Sequence, residues 1–305
     1  MTNSKATLSK LPEAQQEMLL EGMGHALKNW QGWMDVMHKI PDYSANNTLL
    51  IMFQQLQRKR EPSPMVRGYK TWQTVFKRHV IKNSRGYKIL APVMVPLIKD
   101  GQKVFRDDGK PVMRPANFRA ISVFDYRDTE GEPLPQKPDT SHVMAQQDGK
   151  VDNMLMDGLL KVAKARKVTV NRSVSKDELD TAHGCCWFTN QDGSASKIDL
   201  REDLTETTEA TVLMHELAHS ILHNRDEYEG HSPLSIKELE AESTAYLVAK
   251  HYGIDTSAKA FDYIIGHNLK DPDLKTTMLD AGTRINKAYK EIITIVDKHI
   301  KDKKR

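Results

Sequence analysis

The sequence predicts an α+β fold in two parts, and three observations carry that prediction. Helical periods and short β-like runs fall in blocks along the chain and do not alternate one for one, which argues against a doubly wound parallel sheet. The 305 residues exceed the roughly 100–200 of an average domain. The charge is also divided: Met1 to Glu130 carries 21 Lys and Arg against 12 Asp and Glu, net +9, and the remainder carries 24 against 29, net −5. A basic part joined to an acidic part reads as two domains with different partners.

The first helical block covers residues 12–60. Met18, Leu19, Met23 and Leu27 recur near helical spacing, and Ser44 to Gln57 has a polar start and an apolar body. Pro62 and Pro64 end that order. From Val66 to Val95 the pattern turns to short β-like runs, with a hairpin loop between Ile98 and Val112 around Gly101 and Gly109, and a further strand over 118–126. Arg127 to Lys150 shows no apolar period and is rich in Pro, Gly and charge. The expected division is therefore 1–130, a linker over 131–150, and 151–305. The second part reads as a helix over 151–165 and short strands at 167–170, 184–188 and 197–200. Helices follow over 205–223, 234–252, 258–265 and 280–298.

Several classes are excluded. No run approaches the roughly 18 apolar residues of a membrane span, and the first residues lack a secretion signal's pattern. Cys185 and Cys186 are the only cysteines; two adjacent thiols make no disulfide framework and fit a reducing cytoplasm. There is no GxGxxG and no GxxxxGK[ST], so nothing points to a dinucleotide or P-loop site.

The sharpest motif is His215-Glu216-Leu217-Ala218-His219, an HExxH. Residues four apart on a helix share a face, so two imidazoles can reach one metal ion. Thr205 is a capping residue, Glu206 and Glu209 suit the positive helix end, and Val212, Leu213, Leu217, Ile221 and Leu222 supply apolar faces. Two neutral imidazoles suit zinc, and manganese or cobalt are compatible. Glu216 points beside the metal, where it can take a proton from water as a general base.

A third ligand is required. Leu222 and Arg225 stand where one subclass of such proteins has Gly and His, so that subclass is excluded. His223 lies about 6 Å beyond His219 along the axis and reads as a supporting or core residue. The next helix offers Glu238, Glu240 and Glu242. Glu240 is a lone carboxylate on the face of Ile236, Ser243, Thr244 and Leu247; an acid on an apolar face needs a cation, so Glu240 is favoured over the other two. His183, Tyr228 and Tyr246 are candidates for an oxyanion donor.

Between Arg58 and Lys88 ten basic residues accompany one acid, Glu61. The bases are Arg58, Lys59 and Arg60, then Arg67 and Lys70, then Lys77, Arg78 and Lys82, and last Arg85 and Lys88. Tyr69 and Trp72 are interleaved with them. Cations for phosphates and rings for unpaired bases are the ingredients of single-strand binding. No zinc finger, helix-turn-helix or RNP motif appears, so sequence-specific reading of duplex DNA is not expected.

The segments YSANNTLLIMFQQ (43–55), GYKTW (68–72), GYKILAPV (86–93) and SVFDYRDTEGEPLP (122–135) resemble the N-terminal domain of ArdC-type antirestriction proteins. HELAHSILH followed by ELEAESTAYLVA resembles their zincin-like metallopeptidase domain, which is related to ImmA/IrrE and SprT proteases. The resemblance implies a small α+β domain that binds single-stranded DNA, and duplex DNA more weakly. A mainly helical zinc metallopeptidase domain with a short sheet would follow it. It also implies a mobile-element origin, protection of incoming DNA from restriction, metal ligands His215, His219 and Glu240, and a catalytic Glu216. A protein substrate is a further implied partner. Where this chain has FKRHVIKNSRGYK, the family's Gly-Arg-x-Val and Lys-Gly-Glu stretch is kept only loosely.

Overall fold

The computed structural model describes residues 8–63, 65–134, 153–223, 234–256 and 273–304. Among the described residues the first long helices are α1 (Glu13–Ala26), α2 (Trp30–Lys39) and α3 (Ala45–Gln57). Asn29 caps α2 by accepting from the Gly32 amide, and Ser44 caps α3 by accepting from the Asn47 amide. They bury Leu19, Met23, Trp30, Trp33, Met37 and Leu49.

The first sheet has the order β1 (Val66–Gly68), β6 (Met113–Asp125), β3 (Tyr87–Pro96), all antiparallel. That leaves β3 at the edge, where α3 covers it. Asn47 donates to the Leu90 carbonyl and accepts from its amide, and Gln54 does the same for Lys88, at 2.8–2.9 Å. Two amide side chains thus stand in for a missing neighbour strand. Further out, β3 and β6 continue as a ribbon past a bulge at Val93/Met94, ending in the pair β4 (Ile98–Lys99) and β5 (Gln102–Lys103). Between β1 and β3 lie the short helix α4 (Tyr69–Thr74) and β2 (Arg78–Val80). β2 pairs with β7 (Thr129–Gly131), so strand structure runs to the expected edge of the linker. Residues 135–150 of that linker lie outside the described residues.

The second part opens on α5 (Asn153–Ala165) and β8 (Thr169–Val174), followed by α6 (Lys176–Leu179), β9 (Gly184–Trp187) and β10 (Lys197–Arg201). β10 is central, parallel to β8 and antiparallel to β9, which makes β9 an edge. Three long helices follow: α7 (Glu206–Leu222), α8 (Leu234–His251) and α9 (Leu274–Lys303). The helix expected over 258–265 lies outside the described residues. No helix among the described residues is long and apolar enough to cross a membrane.

The α+β expectation holds, with one three-stranded sheet from each part. The hydrophobic core, however, runs through both. Trp30 Nε1 donates to Ser243 Oγ at 2.8 Å inside the seam, and Asn286 and Lys290 donate to the Tyr43 carbonyl at 3.2 and 3.0 Å. Gly282 on α9 faces the fully buried Trp33 ring so closely that a Cβ there would lie 2.1 Å from it.

Candidate metal centre

α7 starts where Thr205 accepts from the Thr208 amide at 3.3 Å, and Glu206 and Glu209 sit in its positive first turn. Glu209 is also held by two hydrogen bonds from Arg172, at 2.5 and 2.7 Å. The helix packs its apolar positions Leu213, Met214 and Leu217 into the core and runs along β9 and β10. The approach to β9 is close. A Cβ on Gly184 would stand 2.6 Å from Val212 Cγ1 and 3.2 Å from Glu216 Oε1. Gly184→Val is therefore expected to cost roughly 1–3 kcal/mol, read by denaturant unfolding, and to displace Glu216.

The helical period places His215 and His219 side by side, with their Nε2 atoms 3.0 Å apart. From α8, Glu238 reaches both: Oε2 lies 3.4 Å from His215 Nε2 and Oε1 lies 3.5 Å from His219 Nε2. These three residues offer ligand atoms within 4.8 Å of one another. Tetrahedral ligands about 2.0–2.1 Å from a metal are separated by roughly 3.3 Å, so each of these separations, two of them to different Glu238 oxygens, lies near the spacing that one ion requires. Octahedral ligands at similar bond lengths stand about 3.0 Å apart, which also fits.

Glu240, the acid favoured from the helix pattern, is turned away from this pair of imidazoles. It is 2% exposed and turned to His223 and Arg284: Oε2 accepts from His223 Nε2 at 3.1 Å, and Oε1 accepts from Arg284 Nε at 2.8 Å and from its Nη2. A lone acid on an apolar face did need a cation; a guanidinium from α9 supplies it. Glu242 is the third acid, with Oε2 3.2 Å from His215 Nδ1. The acidic cluster governs protonation. Burial depresses His215, but the Glu238 and Glu242 carboxylates outweigh that and raise it to about 10. Burial would raise Glu238, yet the His215 and His219 imidazoles against it hold it far below the usual carboxylate range. Burial lowers His219.

Glu216 is 7% exposed, and burial pushes its carboxyl up to about 7 against the pull of His215 and a hydrogen bond from the Cys186 backbone amide. It opens onto a cleft of 380 Å³ lined by His183, Gly184, His215, Glu242 and Tyr246. The Tyr246 hydroxyl donates to Asp35 at 2.6 Å and accepts from Gln31 and Lys250, which commits it to the seam with α2. His183 is exposed on the cleft wall. Tyr228 lies outside the described residues.

The basic segment divides into two sets. Arg58 donates to the carbonyls of Arg85 and Gly86 and lies over the Tyr87 ring at 4.3 Å. Arg60 pairs with Asp128 and Arg67 with Asp42. Arg78 clamps β7 through Thr129. Trp72 is fully buried, with Nε1 donating to the Phe124 carbonyl at 3.0 Å. The other set, Lys59, Lys70, Lys77, Lys82, Arg85, Lys88 and Tyr69, is exposed. The ribbon beyond β3 adds exposed Lys99, Lys103, Arg106, Lys110, Arg114 and Arg119, which the sequence segment did not include.

Fold and site together define an α+β protein whose HExxH helix is backed by a small mixed sheet and faced by an acidic helix. That fold is shared with the antirestriction protein ArdC from the R388 plasmid. Its metal-free crystal structure is 15% identical, with a TM-score of 0.50, covering 84% of this chain and 86% of that one. The Mn(II)-bound structure is 14% identical, with a TM-score of 0.52, covering 92% and 98%. No protein-family model matches the chain. An uncharacterized protein of Bacillus anthracis, pXO2-81, is 35% identical over 133 residues, which are 42% of this chain and 21% of that protein. The chain thus spans about a fifth of the length of that relative.

Proposed function

We propose that this chain is a mobile-element antirestriction protein of the ArdC kind that binds DNA through its basic part and carries a metal-dependent peptidase site in its acidic part. The observation that carries the second half of this reading is the convergence of His215, His219 and Glu238, with edges of 3.0–3.5 Å, beside buried Glu216 at the mouth of a cleft. The Mn(II) in the ArdC neighbour supports a metal at such a site. Imidazole donors suit zinc as the resident ion. When bound, the ion supplies Lewis acidity, polarising a carbonyl and lowering the pKa of water to about 7. Glu216 takes the water proton and delivers it to the leaving amine. Glu238→Gln should cut zinc affinity by at least about 10–100-fold, measured by chelator competition. Unchanged affinity would place the third ligand elsewhere.

The DNA half of the reading rests on the exposed cations. If Lys59, Lys70, Lys77, Lys82, Arg85 and Lys88 each met a phosphate, affinity for a single strand should fall with a slope of about −4 in log salt. That is a loss of roughly 10²–10³-fold between 50 and 200 mM. A flat response would refute phosphate binding by the full-length chain. A restriction-protection assay with Glu216→Gln then separates two modes. Equal protection means that coating of DNA suffices, and lost protection means that hydrolysis is required.

A further inference from the structure

Resting on the metal reading above, we propose that Arg284, Glu240 and His223 are positioning residues that fix which nitrogen of His219 carries the proton, and so which faces the metal. The hydrogen-bond directions follow from one end. Arg284 is a donor only, and its guanidinium fills Glu240 Oε1. Glu240 is an acceptor only, so its Oε2 takes a proton from His223 Nε2 at 3.1 Å. The guanidinium already balances the carboxylate charge, and a neutral imidazole has a single N–H, so His223 Nδ1 presents a lone pair. At 2.9 Å from it stands His219 Nδ1, which must donate. The lone pair of His219 is thereby left on Nε2, the atom that faces His215 and Glu238. Glu242 accepts from His215 Nδ1 at 3.2 Å, so the proton that His215 must give up to a metal is the one on Nε2. With that proton released, the two Nε2 lone pairs would meet at one point, as a metal requires of its imidazole ligands.

The chain can be reversed with little change of shape. In Glu240→Gln the donor-only Arg284 forces the amide to present its carbonyl oxygen to the guanidinium and its NH₂ to His223. Every hydrogen bond then inverts, and His219 points an N–H at the metal. In Glu240→Gln/Arg284→Leu the amide is free to turn its oxygen back to His223. The side chain of Arg284 is 40% exposed, so its removal leaves little buried void.

The test is zinc affinity of the full-length chain by chelator competition, with thermal unfolding in EDTA as the control for folding. Glu240→Gln should lose about 10–100-fold. The double variant should recover most of that loss. Parental affinity in Glu240→Gln, or a double variant weaker than the single one, would overturn the proposal. A parent that binds no zinc would instead refute the metal reading on which it rests. If Glu240→Gln does not fold, the nitrogen-15 shifts of His219 in the metal-free parent decide, with Nδ1–H supporting the chain and Nε2–H refuting it.

Discussion

Replacing Glu216 by glutamine is expected to lower peptide hydrolysis by about 10²–10⁴-fold while leaving zinc affinity within a few-fold of the parent. The amide fills the same space against Gly184 but cannot accept the proton of water. His215, His219 and Glu238 keep their 3.0–3.5 Å edges without it. A variant that still hydrolysed peptide at the parental rate would remove Glu216 from the mechanism. The same substitution has a second readout. In the metal-free protein the Glu216 carboxyl titrates near about 7 against an ordinary value of 4.5, so the folded state holds this proton more tightly than the unfolded state. Its contribution to stability is present below pH 4.5 and is lost as pH rises through about 7, by roughly 3 kcal/mol. Glutamine cannot ionise and escapes that loss. The metal-free variant should therefore be more stable than the parent at pH 8 by up to about 3 kcal/mol, with the gap closing near pH 4.5. Parallel stability curves for the two proteins would show that Glu216 is not held in a desolvating site.

The second large effect lies at the seam. Glycine within a helix normally costs roughly 1 kcal/mol relative to alanine, so Gly→Ala there usually stabilises. At Gly282, inside α9, the sign is expected to reverse. The new methyl would overlap the Trp33 ring, which is fully buried and tied to Thr48 by a 3.1 Å hydrogen bond from Nε1. Gly282→Ala is expected to destabilise the chain by roughly 1–3 kcal/mol in denaturant unfolding. Gly24→Ala in α1 is the matched control. Its Cβ would meet only the flexible end of Lys275 at 3.5 Å, so it should stabilise by roughly 0.5–1 kcal/mol. If both substitutions had the same sign, α2 and α9 would not be packed as described.

The elements were legible where local periodicity or punctuation marked them. HExxH can work only on a helix, and α7 begins at Thr205 as capping chemistry requires. The strands β3, β9 and β10 lie where short apolar runs put them. The short helix α4 was read as β-like, because six residues hold too few turns to show a period, and Trp72 on it is fixed by the distant Phe124 carbonyl. The Arg58–Lys88 segment shows how charge density misleads. Arg58, Arg60, Arg67 and Arg78 bind carbonyls and acids up to 68 positions away, so their charges are spent on the fold.

By itself, the sequence determined the α+β class, the helix that carries His215, Glu216 and His219, and the presence of a buried acid in need of a cation on the next helix. Each of these follows from spacing along one element, because a helix fixes which of its own residues share a face. Which acid turns to the imidazoles and which to an arginine was decided only by how α7, α8 and α9 pack. Arg284 lies 44 residues beyond Glu240, and no local pattern states that the two meet. The same holds for the seam that joins the basic and acidic parts through Trp30, Trp33 and Gly282. Contacts between distant segments depend on the crossing of helices, and that is a property of the packed chain.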